Sequence, residues 1–236
     1  MEIEILQLID GAKKARGLTV IIDVFRAMTV ESLIMQRNAG KLIPVGDIQT
    51  ALAYKTAHPD TILCGERGGA IIEGFDLGNS PSAIENLDFT GKTVVHTTSA
   101  GTQGFANATG ADEIIAGCLV SAKAIAYYIK SKAPEHVSLV CMGLAGAVPT
   151  DEDTLCAEYI KSLLEERPLE NLSQRIAALK TTDGAKFFDP AQQNIFPERD
   201  FVLSTSVDIC PFVLRLTKDA ESGLACMEQV DIPEVI

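Results

Sequence analysis

Two side chains of opposite charge close the apolar run Thr19–Thr29, TVIIDVFRAMT: Asp23 and Arg26. An acid at the end of a buried strand can serve as a nucleophile or as a base, and a planar guanidinium can hold a phosphate or sulfonate in bidentate fashion. The same pairing recurs as Glu66 and Arg67 in CGERGG. The turn HTTSAGTQG, His96 to Gly104, sets Thr97, Thr98 and Ser99 ahead of a helix, where small residues let backbone N–H groups approach an oxyanion closely. Thr150, Asp151, Glu152 and Asp153 open another amphipathic stretch, and three consecutive acids exceed what a helix cap requires. Such hard oxygen ligands suit Mg2+, which takes one or two protein carboxylates and fills its shell with water and substrate oxygens. Glu66, Glu152 and Asp153, with Asp23, are the candidate ligands.

Each feature also has a plainer reading. Arg26 and Arg67 could form ordinary salt bridges with Asp23 or Glu66, the hydroxyl turn could be a simple strand-to-helix turn, and the acids could be caps. A haloacid-dehalogenase site is excluded, because Phe25 stands where that chemistry needs a second acid. Of the three histidines only His96 lies near a site, in a position that suits a satisfied buried imidazole.

The elements that must position these groups alternate. Thr19–Ile22, Lys41–Val45, Thr61–Cys64, Thr93–His96, Glu113–Ala116 and Val137–Cys141 read as strands apolar on both faces, as in a parallel sheet covered by helices. Helices are expected over Ala27–Asn38, Ile48–Thr56, Thr102–Ala108, Ser121–Lys132 and Thr154–Glu166, with Asp47 and Ser121 as N-caps. The fold class is therefore α/β: a layered α/β/α arrangement on a mixed, largely parallel sheet. The order strand, polar turn, helix, strand, helix occurs twice, which suggests two pseudo-symmetric βαβα halves, about 19–90 and 91–165, within a single domain of residues 1–236. Gly65–Phe89 reads as a long ordered loop. Beyond Pro168 a helical stretch and a terminal hairpin are expected in 170–236, with Phe201–Ser206 paired to Phe212–Leu216. In an open α/β sheet ligands bind beyond the carboxyl ends of the strands, where Asp23, Glu66 and the Thr97–Ser99 turn all fall.

The chain has 236 residues, 47% hydrophobic and 6% aromatic, enough for an aliphatic core. Its 32 acids against 20 bases give a formal charge of −12, which argues against nucleic-acid or anionic-membrane partners and is compatible with a cation-assisted small-molecule site. No apolar run of about 18 residues is present, and the acidic N-terminal residues lack a signal-peptide layout, so a cytoplasmic protein is expected. The six cysteines show no metal or disulfide spacing. A homodimer is the base expectation for an enzyme of this kind.

The segments IIDVFRAMT, CGERGGAIIEGFDLGNSPSAI, TTSAGTQG and TDEDTLCAEYI, in this order, resemble the 2-phosphosulfolactate phosphatase family. The most specific element is GERGG followed by GFDLGNSP, with Glu66, Arg67, Gly74, Phe75, Asp76, Gly78, Asn79, Ser80 and Pro81. The resemblance implies a Mg2+-dependent hydrolase that cleaves the phosphate ester of (R)-2-phospho-3-sulfolactate on the route to coenzyme M. It also implies an α/β fold of its own. On that reading Asp23 and Arg26 are catalytic with Asp76 in reserve, while Arg67, Asn79, Ser80, Thr97, Thr98 and Ser99 bind the phosphorylated substrate. One departure stands out: the family's Thr-Thr-Asn-Gly-Thr turn is here Thr97-Thr98-Ser99-Ala100-Gly101-Thr102. Two alternatives remain: a phosphatase for another small phosphorylated hydroxy acid such as phospholactate or phosphoglycolate, and a non-catalytic sensor of such a metabolite.

Overall fold

The computed structural model describes residues 1–233. Its strands are β1 Glu2–Gln7, β2 Gly17–Ile22, β3 Lys41–Pro44, β4 Ile62–Arg67, β5 Ala70–Ile71, β6 Thr93–Thr97, β7 Ala111–Gly117, β8 His136–Cys141, β9 Phe212–Lys218 and β10 Ala225–Asp231. Its helices are α1 Leu8–Ala12, α2 Ala27–Gln36, α3 Ile48–Ala57, α4 Pro81–Ile84, α5 Gly101–Asn107, α6 Ala122–Lys132, α7 Asp151–Leu164, α8 Leu172–Ala178 and α9 Glu198–Ser204. The strands form one mixed, mostly parallel sheet in the order β1-β8-β2-β7-β9-β10-β3-β6-β4-β5, as the alternating pattern predicts.

Two parallel blocks make up this sheet. β1, β8, β2 and β7 run together, and so do β3, β6 and β4. Between them lies the antiparallel ribbon β9–β10, which touches each block through one paired position, Ile115 with Arg215 and Met227 with Leu42. Three antiparallel junctions in succession reverse the direction, so the blocks run opposite ways. Their carboxyl ends nevertheless meet: an added Cβ on Gly101, at the start of α5 after β6, would lie 3.0 Å from Asp23 Oδ2, beyond the end of β2.

Alternate residues of each strand enter different cores, the period-two geometry of a sheet covered on both faces. Val20 and Ile22 pack with Ile125, Ile129, Cys156 and Ile160 of α6 and α7, whereas Ile21 joins Met28, Ile34 and Phe105 of α2 and α5. In the other block Val94 shares that second core and Val95 packs with Ala51 and Tyr54 of α3. A fourth, aromatic cluster gathers Phe187 and Phe201 against Phe25. Asp47 caps α3 by accepting the Thr50 N–H at 2.8 Å, but Ser121, although at the N-cap position of α6, makes no side-chain cap bond.

Three expectations change. Phe201–Ser206 is not a strand: Pro197 precedes α9, Glu198 and Asp200 occupy its first turn, and these are helix-start signals. The hairpin partner of β9 is β10, joined through the Asp219–Gly223 turn. Gly65–Phe89 is less irregular than a loop, since β4 continues to Arg67 and β5 and α4 follow. Among the described residues no helix is long and apolar enough to cross a membrane.

Candidate active site

A cavity of about 330 Å³ opens where the two blocks' carboxyl ends meet, and its lining includes Asp23, Phe25, Arg26, Glu66, Asn79, Ser99, Thr150 and Glu152. Asp23 follows β2 directly. Its Oδ1 accepts the Ala27 N–H at 3.2 Å, which ties it to the start of α2. Burial pushes its carboxyl up to about 6, the Glu66 charge adds to this, and the N–H groups of Ala27 and Gly101 oppose it. Glycine at 101 leaves room for these groups, because a Cβ there would crowd Met28 Cε at 2.5 Å and Ala27 and Asp23 at 3.0 Å.

Glu66, one residue before the end of β4, organises the opposite rim. Its Oε1 accepts the Ser99 N–H at 2.7 Å, and its Oε2 accepts the Gly69 N–H at 2.7 Å and the Ser99 hydroxyl at 3.2 Å. Asp153, in the first turn of α7, plays a matching part for the other block. Its Oδ1 accepts Val24 N–H and its Oδ2 accepts Gly143 N–H, both at 2.8 Å, so one carboxylate clips the turns after β2 and β8 together. Burial first, then the charges of Glu152 and Asp23, raise Asp153 well above the usual carboxylate range.

Glu152 differs from its neighbours. It is 3% exposed, lines the cavity, and its Oε2 has no hydrogen-bond partner. Burial pushes its carboxyl up to about 8, Asp183 adds to the rise, and the Lys186 charge works against it. A sealed, unpartnered carboxylate oxygen on a residue that lines the cavity is an unsatisfied acceptor that a hard cation would complete. Among the described residues no cluster of three or more His, Cys, Asp or Glu side chains is arranged to hold a metal ion. The unpartnered Glu152 oxygen is thus the donor that a cation such as Mg2+, which needs only one or two protein carboxylates, would use here.

Arg26 lines the cavity, yet its ion-pair partner is neither Asp23 nor Glu66. Nη1 donates to Asp200 Oδ2 at 2.7 Å and to Ile195 O at 2.8 Å, Nη2 donates to Gly69 O at 3.1 Å, and the guanidinium lies 4.8 Å from the Phe196 ring centre. Three of five N–H donors are thereby used. Asp200 also accepts from the Ser80 hydroxyl and Ser82 N–H at 2.9 and 2.8 Å.

Of the residues expected to bind substrate, Asn79 and Ser99 line the cavity and Arg67, Thr97, Thr98 and Ser80 do not. Arg67 donates to Glu66 O and to Thr97 Oγ1, and Thr98 exchanges hydrogen bonds with Thr102. Asp76 stands apart, held by Lys55 Nζ and Leu63 N–H, each at 2.8 Å, beside a different surface hollow.

The segment beyond Pro168 contributes what local pattern could not reveal. Asp183, Lys186 and Phe196 line the cavity, and Lys186 Nζ sits among the rings of Phe25, Phe187 and Phe196 at 5.4 to 5.9 Å. The cluster of phenylalanines around one lysine in DGAKFFDP was the only sequence signal available. The cavity pairs buried carboxyls with two cations and helix N-termini, a setting for an anionic ligand.

Comparison with known proteins agrees with that setting. A relative from Bacillus subtilis named "Probable 2-phosphosulfolactate phosphatase" is 29% identical over 206 residues, covering 86% of this chain and 89% of the relative. Proteins of the same name from Deinococcus radiodurans and Carboxydothermus hydrogenoformans are 36% identical over 148 and 176 residues, covering 61% and 74% of this chain and 62% and 72% of those proteins. A family model described as 2-phosphosulpholactate phosphatase matches residues 3–217. Spanning nearly the whole sheet and every cavity-forming turn, that match means the chain belongs to the 2-phosphosulpholactate phosphatase family.

Proposed function

We propose that this chain hydrolyses 2-phosphosulfolactate to sulfolactate and inorganic phosphate, with Mg2+ as cofactor. Family membership and the relatives' names support the substrate. The observation that carries the reading is the juxtaposition, in one cavity, of the buried carboxyls of Asp23 and Glu152 with Lys186 and Arg26.

Asp23 is the group that handles the proton of the attacking water. A carboxyl at about 6 is mostly ionised at neutral pH and basic enough to take a proton in the transition state. Glu152, with its unpartnered oxygen, would hold the Mg2+, and the bound ion would supply charge neutralisation at the phosphoryl oxygens. Arg26, 4.8 Å from the Phe196 ring centre, lines the cavity with two N–H groups uncommitted, and these would hold a phosphoryl oxygen. Lys186 brings the second cation, suited to the sulfonate or carboxylate of a polyanionic substrate. Glu66 and Asp153 keep the four turns that frame the cavity in register, through backbone N–H groups rather than through ligand contact. Phe25 and Phe196, backed by the buried Phe187, form an apolar wall that limits water and strengthens these interactions.

The test is release of inorganic phosphate from 2-phosphosulfolactate, measured with chelator and after Mg2+ is added back. Metal-dependent turnover, ranked above phospholactate and phosphoglycolate by kcat/KM, supports the proposal. Tight binding without phosphate release would point to a sensor instead.

A further inference from the structure

Behind the cavity wall, α2, β6 and the segment before α4 bury a set of polar side chains that the chemistry above leaves unused. Glu31 and His96 are fully buried, and Glu31 Oε1 lies 2.8 Å from His96 Nδ1. The other ring nitrogen, Nε2, lies 3.1 Å from Asn79 Oδ1. Asn79 is itself buried, but it reaches the cavity. Three side chains from three elements thus run from the interior to the wall. Their burial is costly, and Glu31 Oε2 finds no partner even so.

A carboxylate oxygen only accepts, so Nδ1–H donates to Glu31; the placement of the Asn79 amide with Oδ1 toward Nε2 assigns a proton to that nitrogen as well, whereas a ring bare at Nε2 would accept from the amide NH2 instead. The Nε2–H donor occupies the amide oxygen from inside. Among the described residues the Asn79 nitrogen donates to no protein group, nor is it among the sealed, unpartnered atoms, so it opens onto the cavity. Without the ring, the amide could turn over and present its oxygen, which would repel an anion.

We propose that Glu31 and His96 are positioning residues that fix the Asn79 amide with its NH2 toward the cavity, where it donates to an anionic oxygen of the substrate. The identity of that anion rests on the hydrolytic reading above; the orientation of the amide does not. A donor aimed in advance at a charged oxygen loses nothing to reorganisation when the ligand binds.

The orientation is read on the wild-type, 15N-labelled chain by long-range 1H–15N correlation at His96. Protons on both ring nitrogens are expected; a bare Nε2, accepting from the amide, overturns the proposal. On titration with inorganic phosphate the Asn79 side-chain NH2 resonances should shift, and unmoved resonances at saturation also overturn it. With 2-phosphosulfolactate, Asn79→Ala and His96→Phe should each raise KM at least about tenfold with kcat nearly unchanged, and the double variant should be no worse than Asn79→Ala alone. Additive losses would mean that His96 does not act through Asn79. If the wild-type chain releases no phosphate, the hydrolytic reading falls and the two spectra still decide the orientation.

Discussion

Replacing Asp200 probes how the site is held open for an anion. Arg26 and Asp200 are 3% and 0% exposed, so their 2.7 Å ion pair is largely removed from water, although Arg26 borders the cavity. Asp200→Ala removes the countercharge of a buried guanidinium, which costs about 3–5 kcal/mol, and leaves the Ser82 N–H and Ser80 hydroxyl without their acceptor for about 1 kcal/mol more. Asp200→Asn keeps the shape and one acceptor oxygen but loses the charge, for about 2–3 kcal/mol. At about 2–4 °C per kcal/mol for a chain of this size, the Ala variant should melt roughly 10–20 °C lower and the Asn variant roughly 5–10 °C lower. Urea unfolding gives the same quantities from the shift in midpoint at unchanged slope. If Arg26 were instead paired with Asp23 or Glu66, Asp200→Asn would be nearly silent and Asp23→Asn would carry the cost. An Asp200→Asn variant within about 0.5 kcal/mol of wild type refutes the reasoning.

Asp23→Asn should lower kcat by at least about 100-fold without lowering the melting temperature, because an amide escapes the burial that raises the carboxyl to about 6. In chelated protein, Glu152 should make stability depend on pH. The folded state keeps a proton up to about pH 8 that the unfolded chain releases near 4.5, so stability falls as pH rises through that window, by about 3 kcal/mol at pH 7. Glu152→Gln should flatten the slope in urea titrations, and an unchanged slope would assign it to another group. Lys186→Met should raise KM for 2-phosphosulfolactate about tenfold and push Glu152 still higher, since the lysine charge now restrains it. Gly101→Ala places a methyl 3.0 Å from Asp23 Oδ2 and 2.5 Å from Met28 Cε, which should cost about 1–3 kcal/mol and depress turnover.

The strands and helices that deliver the site were legible because each carries a local signature: runs apolar on both faces for β2, β6 and β8, and Asp47 ahead of α3. So was the convergence of Asp23, Glu66, Ser99 and Glu152, which follows from strand carboxyl ends meeting. What stayed hidden depends on long-range packing. Arg26 pairs with a residue 174 positions away, in a helix that the β-branched and apolar letters of FVLSTS disguised as a strand. Asp151, Glu152 and Asp153 look alike in sequence, yet Asp151 stays exposed while the docking of Leu155, Cys156 and Ile160 turns the other two inward. Asp76 matched the family's pattern closely and still serves Lys55 and the β4 backbone, because a shared motif records fold contacts as well as chemistry.

The most direct measurement is anomalous diffraction from crystals soaked in Mn2+ and inorganic phosphate. The account predicts a metal peak bound to Glu152, with phosphate lying between it and the Asp23 carboxyl. A well-occupied peak elsewhere on the protein, with this cavity holding only water, would contradict it.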